Sequence, residues 1–325
     1  MRRMMSAIGL MLLGALATPA AAQTYPTRPI TMVVPFAAGG PVDTLARILA
    51  EAMRKELGQP IIVENIGGAA GTIAVGRVAK SAPDGYTLSI GNWGTHVVNG
   101  AMYPLTFDIY NDFEPIGLMS ATPELIVVRK DFPAKDLKEF IAWLKANPDK
   151  ASMGTSGVGS SGHVAAASFQ KQTGTKFQYV PYRGLAPAMQ GLVAGEVDMM
   201  IDVPSNSIGH VKGGSIRALA MMDKQRLSSM PDVPTVDEAG MPGLYQIEAW
   251  NGLAAPKGTP KDIIAKLNGA LKTALADPAT RERFEKVNQT IVPVAEQTSD
   301  YLRKFQKAEI DKWWPIIKDA GIKVQ

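Results

Sequence analysis

The chain has 325 residues, of which 46% are hydrophobic, with a formal net charge of +4 and no cysteine. That is enough chain for two separate cores, and the composition is that of a globular protein, neither disordered nor fibrous. Disulfides, thiolate metal sites and cysteine nucleophiles are excluded. Acids and bases are interspersed without a basic run or interleaved aromatics, so nucleic acid is not an expected partner.

Residues 1–22 read as an export signal. Arg2 and Arg3 give a positive start, residues 8–17 are an apolar run too short to span a bilayer, and Ala20-Ala21-Ala22 fits a cleavage site. A soluble, exported, periplasmic protein cut near Ala22 is expected.

Residues 30–36 form a strand candidate, followed by Ala37-Ala-Gly-Gly-Pro-Val-Asp43 and a helix carrying Leu45, Ile48, Leu49, Ala52 and Leu57 up to Gly58. The order repeats, with a strand at 61–64, a turn at Gly67-Gly-Ala-Ala-Gly71, a helix at 72–80, and a strand at 86–90 after Asp84-Gly85. This alternation predicts an α/β fold with mainly parallel sheets flanked by helices. Ligands of such sheets sit beyond the carboxyl ends of the strands, where both glycine corners lie.

Residues 112–115 read as a connection, and a second run of alternation opens at 125–128. It holds a helix with Leu137, Phe140, Ile141 and Leu144, strands at 150–153, 177–181, 197–203 and 216–221, and helices at 164–170 and 187–194. Further on, Thr235-Val-Asp-Glu238 has the form of a capping box. Thr259-Pro-Lys-Asp262 starts a helix burying Ile264, Leu267, Leu271 and Leu275. The last helix buries Leu302, Phe305, Ile310, Trp313 and Ile317, and Pro315 within it predicts a kink or break.

Between the strand at 150–153 and the helix at 164–170 lies Gly154-Thr-Ser-Gly-Val-Gly-Ser-Ser-Gly-His163. The first N–H groups of a helix lack internal partners and lie at the positive end of its dipole. Glycines and the hydroxyls of Thr155, Ser156, Ser160 and Ser161 therefore suit an anion here. Residues 157–162 also satisfy G-x-G-x-x-G, so a dinucleotide cradle, a carboxylate cradle and a plain connecting loop compete for them. A dinucleotide unit wants an acid at the end of the next strand, and Tyr179-Val-Pro-Tyr-Arg183 has none. Arg183 serves an organic anion equally well. There is no G-x-S-x-G elbow, and His96, His163 and His210 lie far apart without H-E-x-x-H spacing. No catalytic constellation, metal or cofactor is expected. Three glycine corners on two lobes suit a small anion clamped between them; a secreted nicotinamide-dependent oxidoreductase using 157–162 is the alternative.

The chain resembles the Bug-type solute receptors of tripartite tricarboxylate transporters from about Tyr25 to its end. The resemblance is carried by Tyr25-Pro-Thr-Arg-Pro-Ile30, Val34-Pro-Phe-Ala-Ala-Gly-Gly-Pro-Val-Asp43, Gly58-Gln-Pro, Val63-Glu-Asn65, Ala82-Pro-Asp-Gly-Tyr86, Thr95-His96 with Asn99, residues 154–163, Val180-Pro-Tyr-Arg-Gly184, Pro231-Asp-Val-Pro-Thr235 and Glu238-Ala-Gly240. It implies a periplasmic-binding-protein fold of two lobes closing on a carboxylate. Lobe one would be discontinuous, residues 23–124 plus 246–325, and lobe two residues 125–245, with crossings near Leu125 and Tyr245. The implied partners are a small carboxylate (a di- or tricarboxylate, acidic amino acid or aromatic carboxylate) and the membrane permease subunits of the transporter; the receptor itself is expected to be monomeric. Carried over, Phe36, Gly39, Gly40 and Asp43 form a first ligand loop, and Thr95, His96 and Asn99 a second wall. Thr155, Ser156, Gly159, Ser160 and His163 form the cradle of the other lobe, and Arg183 and Asp202 face the cleft. Helix-capping by Asp43 and an intralobe hydrogen bond of His163 are the alternatives for those two. The sequence departs from the family at Asn92-Trp-Gly94 and Trp250-Asn-Gly252, and both departures are expected to touch the pocket.

Overall fold

The computed structural model describes residues 25–36, 38–182, 185–244, 249–319 and 321. The export signal, Arg183 and the crossing at Tyr245 lie outside the described residues. β1 (Ile30–Val34), α1 (Pro41–Leu57), β2 (Ile61–Asn65), α2 (Thr72–Ala79) and β3 (Thr87–Asn92) follow in order. β2 and β3 pair parallel on either side of β1, as a helical return between strands dictates. A π-turn, Gly94–Val98, runs into the single-turn α3 (Asn99–Met102), and β4 (Phe113–Ala121) follows.

The chain then enters a second sheet through β5 (Leu125–Arg129), α4 (Leu137–Ala146), β6 (Ser152–Thr155) and α5 (Ser161–Thr173). It continues through β7 (Gln178–Pro181), α6 (Leu185–Ala194), β8 (Met199–Asp202), α7 (Pro204–Lys212) and β9 (Ile216–Met221). It returns to the first sheet at β10 (Asn251–Pro256), followed by α8 (Lys261–Ala276), α9 (Pro278–Lys286), β11 (Thr290–Ile291) and α10 (Ser299–Asp319).

The two sheets run β11-β4-β10-β3-β1-β2 and β7-β6-β8-β5-β9. Both are mixed. The halves built from consecutive strand–helix units, β2-β1-β3 and β7-β6-β8, are parallel as the alternation implies. β5 runs antiparallel to β8 and β9, and β10 runs antiparallel to β3 and β4. β5 is the strand by which the chain enters the second sheet and β10 the one by which it re-enters the first, so no crossover helix from a strand of their own sheet leads into either.

α10 ties the two halves together. It packs on β4 and the π-turn of the first sheet and on α5 of the second. Leu302, Ile310, Trp313 and Ile317 are its buried stripe. Pro315 does not break it. Pro315 and Asp311 are both exposed, so the carbonyl that the proline leaves unpaired one turn back faces solvent. Thr235 and Glu238 do exchange the two capping-box bonds, at 3.2 and 2.8 Å, but only a turn follows them.

The start of α5 is seated directly on β8. A Cβ on Gly162 would lie 2.5 Å from the Ile201 carbonyl oxygen, well inside contact distance. Gly162→Ala is therefore expected to destabilise the fold by about 1–3 kcal/mol, through overpacking against backbone that cannot yield. Gly269, exposed inside α8 with open space where its Cβ would stand, should behave oppositely, Gly269→Ala adding about 0.5–1 kcal/mol. Urea unfolding of the two variants checks both signs.

Candidate functional site

The loop between β1 and α1 is held by one buried carboxylate. Gly39 adopts φ +82°, a conformation that favours glycine, and Gly40 is the N-cap of α1. Asp43 Oδ2 accepts hydrogen bonds from the Gly39 N–H at 2.7 Å and Arg47 Nε at 3.0 Å, while Oδ1 accepts from Asn65 Nδ2 at 2.9 Å. Asn65, the last residue of β2, also donates to the Phe36 carbonyl at 3.1 Å. Burial opposes the charge on Asp43, but the bonds from Arg47, Gly39 and Asn65 hold its carboxyl below the ordinary value. Of the two roles expected for Asp43, ligand contact and helix-start group, the structure shows bonds of the second kind, which tie the loop together. An acid in the first helical turn reaches back to loop N–H groups more readily than it faces an anion.

The second wall turns inward. Thr95 Oγ1 accepts from the Asn92 N–H at 3.0 Å, and Asn92 Oδ1 accepts from the Thr95 N–H at 3.0 Å, closing the start of the π-turn. Asn99 Nδ2 donates to the Ala70 carbonyl at 3.0 Å, fixing the glycine turn of residues 67–71 against α3. His96 is buried beneath Gly91, where a Cβ would lie 1.9 Å from the imidazole, and packs on Phe113. Burial depresses its pKa to about 4, so the ring is neutral. The side chain of His96 is thus a core residue of the first lobe, not a cleft group. The tryptophans of the family departures also lie in the core. Trp93 packs edge-on against Trp313 at 5.5 Å and Trp250 against Phe305 at 5.9 Å. Asn251 donates to Ser120 and Gln289 at 3.2 and 3.1 Å. Trp93, Trp250 and Asn251 are thus packed inside, while Asn92 and Gly94 are half-buried.

The loop from β6 to α5 uses most of its polar groups on itself. The Thr155 carbonyl accepts from the Tyr182 N–H at 2.8 Å. The Ser160 N–H donates to the Gly157 carbonyl at 3.2 Å, and Ser160 Oγ caps α5 by accepting from the His163 N–H at 3.4 Å. His163 Nδ1 accepts from the Gly159 N–H at 3.1 Å, which puts the ring proton on Nε2, and the ring rests on Tyr179 at 4.5 Å. Burial lowers its pKa, favouring the neutral form this bond requires. His163 is therefore a loop clamp within its own lobe. Among the described residues, the N–H groups left without a partner include that of Val158 in the loop and, at the start of α5, those of Ser161 and Gly162, which no carbonyl four residues back reaches. The half-buried Ser156 hydroxyl likewise has no partner among the described residues.

The two halves of the candidate site meet through Met102. Gly159, with φ +76°, lies directly under this side chain, and a Cβ there would be 2.1 Å from Met102 Cε. Met102 ends α3, whose Asn99 holds the 67–71 turn, and the Thr95 methyl in turn lies against Gly71. The 156–160 loop, Met102, the 67–71 turn and Pro35, which follows β1 and lies against Gly71, thus belong to one connected edge.

Beneath that edge sits a second buried acid, which sequence reasoning passed over. Glu124 lies in the crossing segment between β4 and β5 and is 1% exposed, as is Asp202 at the end of β8. Asp202 Oδ2 accepts from Asn206 Nδ2 at 2.9 Å and from Ser207 Oγ. Among the described residues, Asp202 Oδ1 and both Glu124 oxygens have no partner of full hydrogen-bond geometry, though the Ser161 hydroxyl reaches Glu124 and the Val203 N–H reaches Asp202. Burial pushes Glu124 up to about 8, with the Ser161 hydroxyl opposing and Asp202 reinforcing the shift. Burial likewise raises Asp202 to about 6, against its bonds from Ser207 and Asn206. The available signal was an acid immediately preceding the wholly apolar Leu125-Ile-Val-Val128.

A carboxyl whose folded pKa is raised binds its proton more tightly folded than unfolded. It favours the folded state at low pH and loses that contribution as pH climbs through the folded value. His96 and His163, held below 6.5, act in the opposite direction and only below that pH. The melting temperature of the ligand-free protein should therefore fall between pH 6.5 and about 8, where Glu124 still titrates. Glu124→Gln should remove that fall; a melting series across this range reads it.

The family model described as the tripartite tricarboxylate transporter family receptor matches residues 45–322. The UPF0065 protein of the TAR-I ttuE-ttuC′ intergenic region of Agrobacterium vitis is 41% identical over 304 residues, covering 93% of this chain and 87% of its own. MatC from Rhodopseudomonas palustris, solved with bound malate, is 39% identical with TM-score 0.76, over 90% of this chain and 100% of that one. A second R. palustris protein, solved with adipate, is 33% identical with TM-score 0.79, over 92% and 100%.

Proposed function

Because the chain belongs to the tripartite tricarboxylate transporter receptor family, we propose that it is a periplasmic solute receptor, not an enzyme. It captures a small organic carboxylate between two lobes and delivers it to the permease subunits of such a transporter. The observation that carries this reading is the start of α5, where Ser161 and Gly162 N–H groups and the Ser156 hydroxyl are left over after the loop has satisfied itself. One ligand carboxylate sits there, at the positive end of the helix. The other end of the ligand faces Phe36, Gly39 and Gly40, where α1 begins. The malate- and adipate-bound relatives support a ligand with two carboxyl groups. Lobe one comprises residues 23–124 and 246–325 and lobe two residues 125–245. They close as a monomer about the segment around Leu125 and the return near Tyr245. Arg183, which follows the strand beside β6, is a further proposed anchor for the anion.

A thermal-shift screen of the mature protein against a carboxylate panel tests the class. A ligand at 100 times its Kd adds about 2.7 kcal/mol of native stability, which raises the melting temperature visibly. Within the site, Gly159→Val should abolish binding in a folded protein, because a branched side chain at positive φ must displace both the loop and Met102. Ser156→Ala should weaken binding roughly ten- to a hundredfold. Ser160→Ala should instead cost about 1 kcal/mol of stability, its hydroxyl being spent on the cap. Wild-type affinity in a folded Gly159→Val protein would make the loop a plain connector.

A further inference from the structure

The receptor reading leaves the most deeply buried polar groups of this edge unused. Glu124 and Asp202 are neighbours, each 1% exposed, and among the described residues three of their carboxyl oxygens have no partner of full hydrogen-bond geometry, with the Ser161 hydroxyl reaching Glu124 and the Val203 N–H reaching Asp202. Ser161, the first residue of α5, adjoins Glu124. Asn206 and Ser207 of α7 hold only the far oxygen of Asp202. Among the described residues no lysine or arginine pairs with either acid, and His210 of α7 is the one further titratable group that faces Asp202. Two buried carboxyls without a cation are costly unless protonated or met by donors. Their position decides which donor fits. They lie next to Ser161, whose N–H the receptor reading assigns to a ligand carboxylate. A donor close to that carboxylate within the same ligand would meet Glu124.

We propose that Glu124, backed by Asp202, is a specificity-determining residue that accepts hydrogen bonds from a positively charged nitrogen of the ligand, so that the preferred ligand is an amino-carboxylate. The proposal rests on the receptor reading. An ammonium group replaces the proton that the empty pair holds, whereas a ligand with only carboxyl groups adds like charge and must bring a proton with it. Charged hydrogen bonds are also the stronger kind.

Calorimetry at pH 7 on matched probes tests this: L-aspartate against succinate, L-glutamate against glutarate, and L-phenylalanine against 3-phenylpropionate. The amino member of at least one pair should bind about ten- to a hundredfold tighter than its deamino partner. Glu124→Gln, checked for a native melting transition, should abolish that preference while the deamino partner still binds. A readout needing no variant comes from heats in two buffers of different ionisation enthalpy. The amino member should release protons on binding, and the deamino partner should take them up. Equal or reversed affinities in every pair, the same proton exchange for both members, or an undiminished preference in folded Glu124→Gln would overturn the inference and leave the receptor reading intact. If none of the six probes binds, the inference is overturned, while the thermal-shift screen over the full carboxylate panel decides the receptor reading separately.

Discussion

A helix that starts at the edge of a sheet leaves its first N–H groups without carbonyls, and this protein settles that shortage differently at its two main corners. At α1, Asp43 reaches back to the Gly39 N–H and is itself held by Arg47 and Asn65. At α5, Ser160 and His163 consume the His163 and Gly159 N–H groups and stop there. The first two N–H groups of α5 are left facing the edge. An anion is the complement of that remainder, since helix-start donors act together with the dipole. Every other polar arrangement nearby serves to present it.

The supports behind this edge are buried, and His96 among them is neutral. His96 fits under Gly91 only as an uncharged ring, and Gln306 of α10 donates to its backbone carbonyl at 2.9 Å. The indole of Trp314 donates to the Val97 carbonyl at 2.9 Å, so α10 holds the π-turn that leads to Met102. The same helix packs on α5, which couples the two halves at a second place beside the crossing strands. The surface pair Lys171–Asp319 between them contributes little by itself. Apolar packing of Trp313 and Ile317 carries that contact.

Much of the fold was legible. Strong periodicity located α1, α4 and α8, and glycine corners marked where strands hand over to helices. β4 and β10 were not legible. Pro115 and Gly117 interrupt one, and Asn251-Gly-Leu-Ala-Ala-Pro256 offers small residues, buried throughout, with no alternation to read. In the site, the cradle at 154–163 was visible because glycines and hydroxyls before a helix have a physical meaning. Which of its side chains face outward was not, since hydrogen bonding within the loop decides it. For His163 and Asp43 the sequence left a ligand contact and an intralobe role open, and their 3.1 and 2.7 Å bonds to glycine N–H groups are of the intralobe kind. Glu124 was invisible for the opposite reason, because its neighbours Ser161 and Asp202 come from distant parts of the chain.

The central claim is that the first N–H groups of α5 grip a carboxylate. Two-dimensional ¹⁵N–¹H spectra of the mature protein, titrated with whichever carboxylate raises its melting temperature, test it most directly. The account predicts large downfield shifts of the Ser161 and Gly162 amide protons at saturation, with the already bonded Gly39 amide moving far less. Saturation that leaves the Ser161 and Gly162 amides unmoved would contradict it.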